Sequence, residues 1–203
     1  METVTFRDFE LRDLDFIHKC KTDAELNKMI VGNWKPFTRE QSKAWLEGCI
    51  RADNPAYKFW AVATNDEEQR IVGWTSLSNI DTINSSAFFH GIVIGDPKYR
   101  NGFPWIEIQQ FVVNYAFQVL KLNRLEFSCL AEHPTSMYIG PVMFFEQEGL
   151  FRQAIYKNNR YYDVAYFGLL KNDYFEHYQR GDYDFMSIVA RYAEIRKDKK
   201  CKR

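Results

Sequence analysis

Two segments of the chain carry side chains that could accept a proton near neutral pH. His90 lies inside the apolar run AFFHGIVIG. Glu132 and His133 directly follow the strand-like segment FSCLA. An imidazole or a carboxylate beside an ammonium group can act as the general base that frees an amine for attack. The alternative for His90 is a hydrogen-bonded core histidine, and the alternative for Glu132 and His133 is a pair that caps a loop.

Composition limits the other kinds of chemistry. Lys and Arg number 27, as do Asp and Glu, so net charge does not indicate nucleic acid, which would need a local basic patch. The cysteines are scattered, without a CxxC pair, which predicts reduced thiols and no metal site. The acidic N-terminus and the lack of a long apolar run predict a cytoplasmic protein with no membrane partner.

The elements that must position these side chains follow from hydrophobic periodicity. Helical spacing marks the segments 13–30, 39–50, 106–122 and 185–197, with Thr38 and Gln41 at capping-box spacing before the second. Strand patterns mark 4–11, 59–64, 70–80, 87–95, 123–131, 151–158 and 160–170. Asn158 and Asn159 suit a tight hairpin turn, and 136–151 is a helix candidate interrupted by Gly140 and Pro141. The order of elements predicts an α/β (α+β) fold.

The stretch from Ile94 to Arg100, followed by Glu107 and by the segment 114–117 (NYAF), resembles the central motif of GNAT acetyltransferases, in the ribosomal-protein and amino-sugar branch. The segments 122–126, 148–152 and 161–164 resemble later parts of the same family, so the likeness covers about residues 5 to 175. It implies a mixed, splayed central sheet with helices on both faces. We therefore expect a GNAT-like domain over 1–175 and a C-terminal helical extension with a basic tail over 176–203.

The resemblance also implies that acetyl-CoA enters a V-shaped opening between two central strands. The implied donor-binding positions belong to one strand, the loop after it and the next loop: Ile92, Val93, Ile94, Arg100, Asn101, Gly102, Phe103, Trp105 and His133. In the family, backbone amides of a glycine-rich loop at a helix N-terminus hold the diphosphate. His133 stands where the family has an asparagine near the CoA arm.

That loop departs from the family pattern. Where the family has Arg-Gly-Lys-Gly-Tyr-Gly, the chain reads Arg100-Asn101-Gly102-Phe103-Pro104-Trp105. Bulky side chains and a proline without an N–H predict an obstructed cradle that is short of donors, unless a register shift makes Gly102 the working glycine. Each lost charge-assisted hydrogen bond costs roughly 1.5 to 3 kcal/mol, and every 1.4 kcal/mol is about tenfold in affinity.

A second departure concerns the proton that the leaving thiolate needs. The family tyrosine position is Gly140, so water or Tyr138 would supply the proton. We predict an N-acyltransferase that acts on a small-molecule or macromolecular primary amine, with His90 or Glu132 as the base, and a homodimer is compatible with the sequence. The alternatives are a binding protein without activity and a transferase that uses another acyl or aminoacyl donor on an amino sugar or modified nucleobase.

Overall fold

The computed structural model describes residues 3–100 and 102–201. Within these residues, seven strands form one sheet. They are β1 (Val4–Arg7), β2 (Lys58–Thr64), β3 (Ile71–Asp81), β4 (Ser86–Ile94), β5 (Arg124–Leu130), β6 (Glu146–Lys157) and β7 (Arg160–Leu170). The strand order is β1-β2-β3-β4-β5-β7-β6, and only the β4–β5 pair is parallel.

Helices cover the sheet on both faces. They are α1 (Leu14–Thr22), α2 (Ala24–Asn27), α3 (Arg39–Arg51), α4 (Phe103–Asn114), α5 (Ser136–Val142), α6 (Lys171–Gln179) and α7 (Phe185–Cys201). Short 3-10 turns occupy Leu11–Asp13 and Pro97–Tyr99, and a π-helical turn over Tyr115–Val119 extends α4. The predicted fold class, a mixed sheet flanked by helices on both faces, is confirmed.

Two apolar clusters fill the space between the sheet and its helices. Ile17 of α1 and Leu46 of α3 are fully buried on one face of the sheet, against Trp74 of β3. On the other face, α4 packs over β4 and β5 in a larger cluster. Tyr183 and Ile188 belong to this larger cluster, so the C-terminal segment packs into the same core as the rest of the chain.

Local chemistry explains where several elements begin and end. The capping box of Thr38 and Gln41 starts α3 as predicted, because each side chain binds the other residue's backbone N–H. The helix predicted over 13–30 divides at Asp23, whose carboxylate accepts the N–H of Leu26 and caps α2. The helix predicted over 136–151 ends at Val142, and β6 begins at Glu146 rather than at 151.

Within the described residues, no helix combines the length and the apolar content that crossing a membrane requires.

Candidate active site

The two central strands separate after a short stretch of pairing. β4 and β5 pair at Ser86 with Arg124, at Ala87 with Leu125 and at Phe88 with Glu126, and no further pairs follow. A cavity of about 590 Å³ begins where they part, and Phe89 and Ile92 from β4 and Phe127 from β5 line its walls. The opening is therefore the V-shaped space that the resemblance implied.

A β-bulge shapes the β4 side of the opening. Ser76 of β3 pairs with Gly91, whereas its neighbour Leu77 pairs with Phe89, so His90 is the extra residue of the bulge. Gly91 has a φ of +106°, which a residue with a Cβ rarely adopts, and its carbonyl accepts the Thr75 hydroxyl at 2.9 Å. The bulge turns part of the β4 backbone out of the ladder, beside the cavity.

His90 is the residue that this bulge inserts into β4. The residue is exposed and is not among those that line the cavity, whereas its neighbours Phe89 and Gly91 are. Partial burial lowers the pKa of His90, and the positive charge of Lys21 lowers it further, so the imidazole is neutral at pH 7. A neutral imidazole can accept a proton.

The Lys21 ammonium lies in an aromatic box on the α1 side of the sheet. Its Nζ is 4.2 Å from the ring centroid of Trp45, 5.1 Å from that of Phe37 and 5.5 Å from that of Trp74. These contacts stabilise a cation at a fixed place, and burial lowers the pKa of Lys21. The lysine thereby supplies a localised positive charge in the neighbourhood of His90.

At the other end of the cavity, the loop after β4 leads into α4. Gly102 is the N-cap of α4 with a φ of +102°, and its carbonyl accepts the N–H of Ile106 at 3.2 Å. The helix starts at Phe103 rather than at 106, because a proline fits the first turn, where an N–H has no partner within the helix. Pro104 consequently removes one of the donors that the first turn would otherwise present.

The bulky side chains of this loop take different directions. Phe103 is 47% exposed and packs against Phe185 of α7 with ring centroids 5.9 Å apart, and it is not among the residues that line the cavity. Trp105 does line the cavity, together with Gly102. The indole packs against Tyr192 of α7, which also lines the cavity, with centroids 5.6 Å apart.

Arg100 folds back on the end of β4. Its Nε donates to the carbonyl of Ile94 at 2.8 Å, and one terminal nitrogen donates to the carbonyl of Gly95 at 2.9 Å. Ile92 and Ile94 line the cavity, whereas Val93 packs in the cluster on the opposite face of the sheet. Asn101 lies outside the described residues.

His133 combines two roles at the start of α5. Its Nδ1 accepts the backbone N–H of Thr135 at 3.2 Å and that of Ser136 at 2.9 Å, so this nitrogen carries no proton. In a neutral imidazole the proton then resides on Nε2, which becomes a donor, and burial lowers the pKa of His133. An asparagine offers the same pair of functions, a carbonyl acceptor and an N–H donor.

Like His90, the other two predicted catalytic residues are not among those that line the cavity. The Glu132 carboxylate accepts a charged hydrogen bond from Arg160 at 2.7 Å, and its side chain is exposed. Tyr138 lies on α5 with its ring 6.4 Å from that of Tyr192. A Cβ at Gly140 would come within 2.8 Å of the Phe167 ring, so the tyrosine of related proteins cannot be accommodated at this position without repacking.

Several residues of the cavity were not found by sequence reasoning. Asp23, Glu25 and Lys28 of the α2 region and Tyr192 of α7 all line the cavity. The Asp23 cap of α2 is a local signal, but its position beside β4 depends on how α1 packs on the sheet. Burial raises the pKa of the Cys129 thiol to about 11, so this cysteine is unreactive at neutral pH.

The seven-stranded mixed sheet with helices on both faces, opened between β4 and β5, is the fold of the GNAT class of acetyltransferases. Residues 3–139 match the family model described as "Acetyltransferase (GNAT) domain", and the chain belongs to this family.

Known proteins agree with this assignment. The uncharacterized N-acetyltransferase p20 of Bacillus licheniformis is 28% identical over 176 residues, which cover 85% of this chain and 96% of that protein. Spermidine N-acetyltransferase from Vibrio cholerae, solved in complex with CoA and spermine, has a TM-score of 0.72 at 22% identity, covering 85% of this chain and 98% of that one. A GNAT-family acetyltransferase from Bacillus anthracis has a TM-score of 0.68 at 25% identity, covering 84% and 96%.

Proposed function

We propose that the protein transfers an acetyl group from the thioester of acetyl-CoA to a primary amine. The observation that carries this proposal is the separation of β4 from β5 after Phe88, which opens a cavity lined by both strands and by the first turn of α4. A pantetheine arm is long and narrow, and such an opening suits it. Membership of the GNAT family supports the same donor.

The residues of the cavity fit the pantetheine arm of the donor better than they fit its diphosphate. His133 offers an Nε2–H donor, and the bulged backbone of β4 offers further polar groups to the amides of a pantetheine arm. At the outer end, the first turn of α4 would face the diphosphate, with the Trp105 N–H as one donor and Pro104 contributing none. Bound acetyl-CoA would supply an acyl carbon activated by its thioester.

His90 is the proposed base. The amine nitrogen forms a bond to the acyl carbon as the carbon–sulfur bond breaks, and the proton of the acceptor ammonium passes to the neutral imidazole, directly or through water. The departing sulfur takes a proton from water or from Tyr138. Glu132 is the weaker candidate for the base, because its carboxylate is occupied by Arg160.

The acceptor would enter from the α2 end of the cavity. Asp23 and Glu25 place carboxylates there, and such groups attract the ammonium of an alkylamine. The Lys28 ammonium lies 2.6 Å from a carboxylate oxygen of Glu25, so it neutralises part of this negative charge. These features favour a cationic small amine over an anionic or neutral acceptor.

The experiment combines a donor with a panel of primary amines. We would incubate the protein with acetyl-CoA and with polyamines, amino sugars and short peptides, and would measure thiol release and the acetylated product by mass spectrometry. We expect acetylation of at least one alkylamine and a strong loss in the His90→Gln variant. The Met186→Ala variant is the matched control, because Met186 is 71% exposed on α7.

Three results would contradict the proposal. Product formed equally well by the His90→Gln variant would remove His90 as the base. No acetylated amine with acetyl-CoA, but transfer from an aminoacyl or other activated donor, would show that the scaffold uses a different donor. If no donor gives any product, the alternative of a binding protein without transferase activity stands.

A further inference from the structure

The outer mouth of the cavity is bordered by a residue from the C-terminal helix. Tyr192 of α7 lines the cavity beside Gly102 and Trp105, at the first turn of α4. Its ring lies 5.6 Å from the Trp105 ring, measured between centroids, with an angle of 43° between the planes. The two rings are therefore in contact over the place where α4 begins.

The segment of α7 that carries Tyr192 is firmly fixed. The Arg191 Nε donates to the carbonyl of Val142 at 2.7 Å, and its guanidinium lies 3.9 Å from the ring centroid of Phe144. Ile188 is fully buried, and the hydroxyl of the buried Tyr183 donates to the carbonyl of Met143 at 3.0 Å. Since Tyr192 directly follows Arg191, these contacts position the part of α7 that packs on Trp105.

This arrangement affects the nucleotide end of a CoA donor. A flat base held between two rings needs their planes roughly 7 Å apart, twice the contact distance of about 3.5 Å. Trp105 and Tyr192 are too close together for that, and both line the cavity together with Gly102, the residue at which α4 begins. Pro104 further reduces the number of amide donors at the same turn.

The inner part of the cavity has no such cover. Phe89, Ile92 and Phe127 line it at the strands, and His133 presents its Nε2–H nearby. A pantetheine arm can therefore be recognised at the strands by groups that do not depend on α7.

We propose that Tyr192 is a donor-specificity residue, which packs on Trp105 across the mouth so that the pantetheine arm is recognised and the nucleotide of CoA contributes little to affinity. This inference rests on the proposed function, because it assumes that an acyl-pantetheine donor occupies the opening. The donors of this class are acyl thioesters on a pantetheine arm, with or without an attached nucleotide.

The test is the affinity of the intact protein for CoA and for pantetheine, measured by isothermal titration calorimetry. In the wild-type protein we expect the two dissociation constants to lie within about tenfold of each other. In Tyr192→Ala we expect CoA to bind at least about tenfold more tightly, since one charge-assisted contact to the exposed turn is worth about that factor. Pantetheine affinity should stay the same.

Matched variants distinguish the effect of the Tyr192 ring from a general effect of changing α7. Tyr192→Phe keeps the ring and should behave as the wild-type protein, whereas Tyr192→Leu, which keeps apolar packing but loses the ring, should behave as Tyr192→Ala. Met186→Ala changes an exposed side chain of the same helix and should alter neither affinity. The wild-type ratio needs no variant, so it tests the inference even if a substitution unfolds the chain.

The inference is overturned if wild-type protein binds CoA a hundredfold or more tightly than pantetheine, or binds no pantetheine. It is also overturned if Tyr192→Ala binds CoA no better than wild type. Equal affinity would mean that Tyr192 has no effect on the nucleotide, and weaker binding would make Tyr192 a nucleotide contact. Acetyl transfer is measured separately on the same samples. If CoA affinity rises in Tyr192→Ala but no variant acetylates an amine, the proposed function fails and the specificity inference stands.

Discussion

The substitution of His133 by asparagine or by alanine separates its two roles. The Nδ1 atom accepts the N–H groups of Thr135 and Ser136 at the start of α5, at 3.2 and 2.9 Å. Alanine removes this acceptor and leaves both N–H groups without their partner. Asparagine keeps an acceptor at the same place, because its side-chain carbonyl readily binds a backbone N–H two residues further on.

The expected magnitudes follow from these contacts. Loss of a side-chain cap costs about 1 kcal/mol, within a range of roughly 0.5 to 2, so His133→Ala should melt about 3 °C lower than wild type. His133→Asn should lie within about 0.5 kcal/mol of wild type, because asparagine is one of the best capping residues. If Nε2–H also binds the donor arm, His133→Ala should raise the KM for acetyl-CoA roughly fivefold, since one neutral hydrogen bond is worth about 1 kcal/mol.

Acidification supplies a second, independent readout. Burial lowers the pKa of His133 from 6.5, so between the folded-state pKa and 6.5 the unfolded chain binds more protons than the folded chain. The His133 contribution to stability is therefore complete above pH 6.5 and is lost as the pH falls below it. The His133→Asn variant has no such group, so it should lose less stability than wild type between pH 8 and pH 5.

The assay is thermal unfolding followed by circular dichroism at both pH values, together with steady-state kinetics against acetyl-CoA. Equal destabilisation by asparagine and alanine at pH 8 would refute the capping role. The protonation argument would be refuted if wild type and His133→Asn differed in melting temperature by the same amount at pH 8 and at pH 5.

Three further predictions concern the proposed base His90, the nearby cation Lys21 and the packing at Gly95. His90→Gln should lower kcat about a hundredfold or more, and in wild type the acidic limb of the pH–rate profile should lie below 6.5, because the pKa of His90 is lowered from that value. Lys21→Met removes a cation that lowers the pKa of His90, so the acidic limb should move to higher pH, and an unmoved limb would exclude the coupling. Gly95→Ala should lower the free energy of unfolding by roughly 1 to 3 kcal/mol in a urea titration, because the new Cβ would lie 2.3 Å from the Cys20 sulfur and 2.6 Å from Phe16.

The sequence predicts those parts of the fold that depend on neighbouring residues. The capping box at Thr38 and Gln41 fixes the start of α3, and both residues of the β6–β7 turn, Asn158 and Asn159, adopt the positive φ values that a tight hairpin requires, 51° and 58°. The family motif after β4 places the opening between the correct two strands. For the helix start and the hairpin turn the deciding interactions lie within a few residues, so the pattern of side chains is sufficient, whereas the opening was placed by resemblance to the family.

Features that depend on distant partners are not predictable in this way. The run AFFHGIVIG looks like an unbroken strand, but the register of β3 makes His90 the extra residue of a bulge. The prediction for Phe103 concerned obstruction of the loop, whereas its ring packs against Phe185 of a helix much later in the chain. Likewise, no local signal places Tyr192 against Trp105, because the contact depends on how α7 crosses α4 and α5.

The proposed weak recognition of the nucleotide rests on two features of the loop before α4. Proline at the second position of the helix removes an amide donor, which weakens a diphosphate contact by roughly 1.5 to 3 kcal/mol. The aromatic residues on either side, Phe103 and Trp105, pack against Phe185 and Tyr192 of α7. Both effects act on the nucleotide end of a donor and leave the strands and His133 unchanged. If the proposed function is right, we therefore expect most of the affinity for a thioester donor to come from the pantetheine arm.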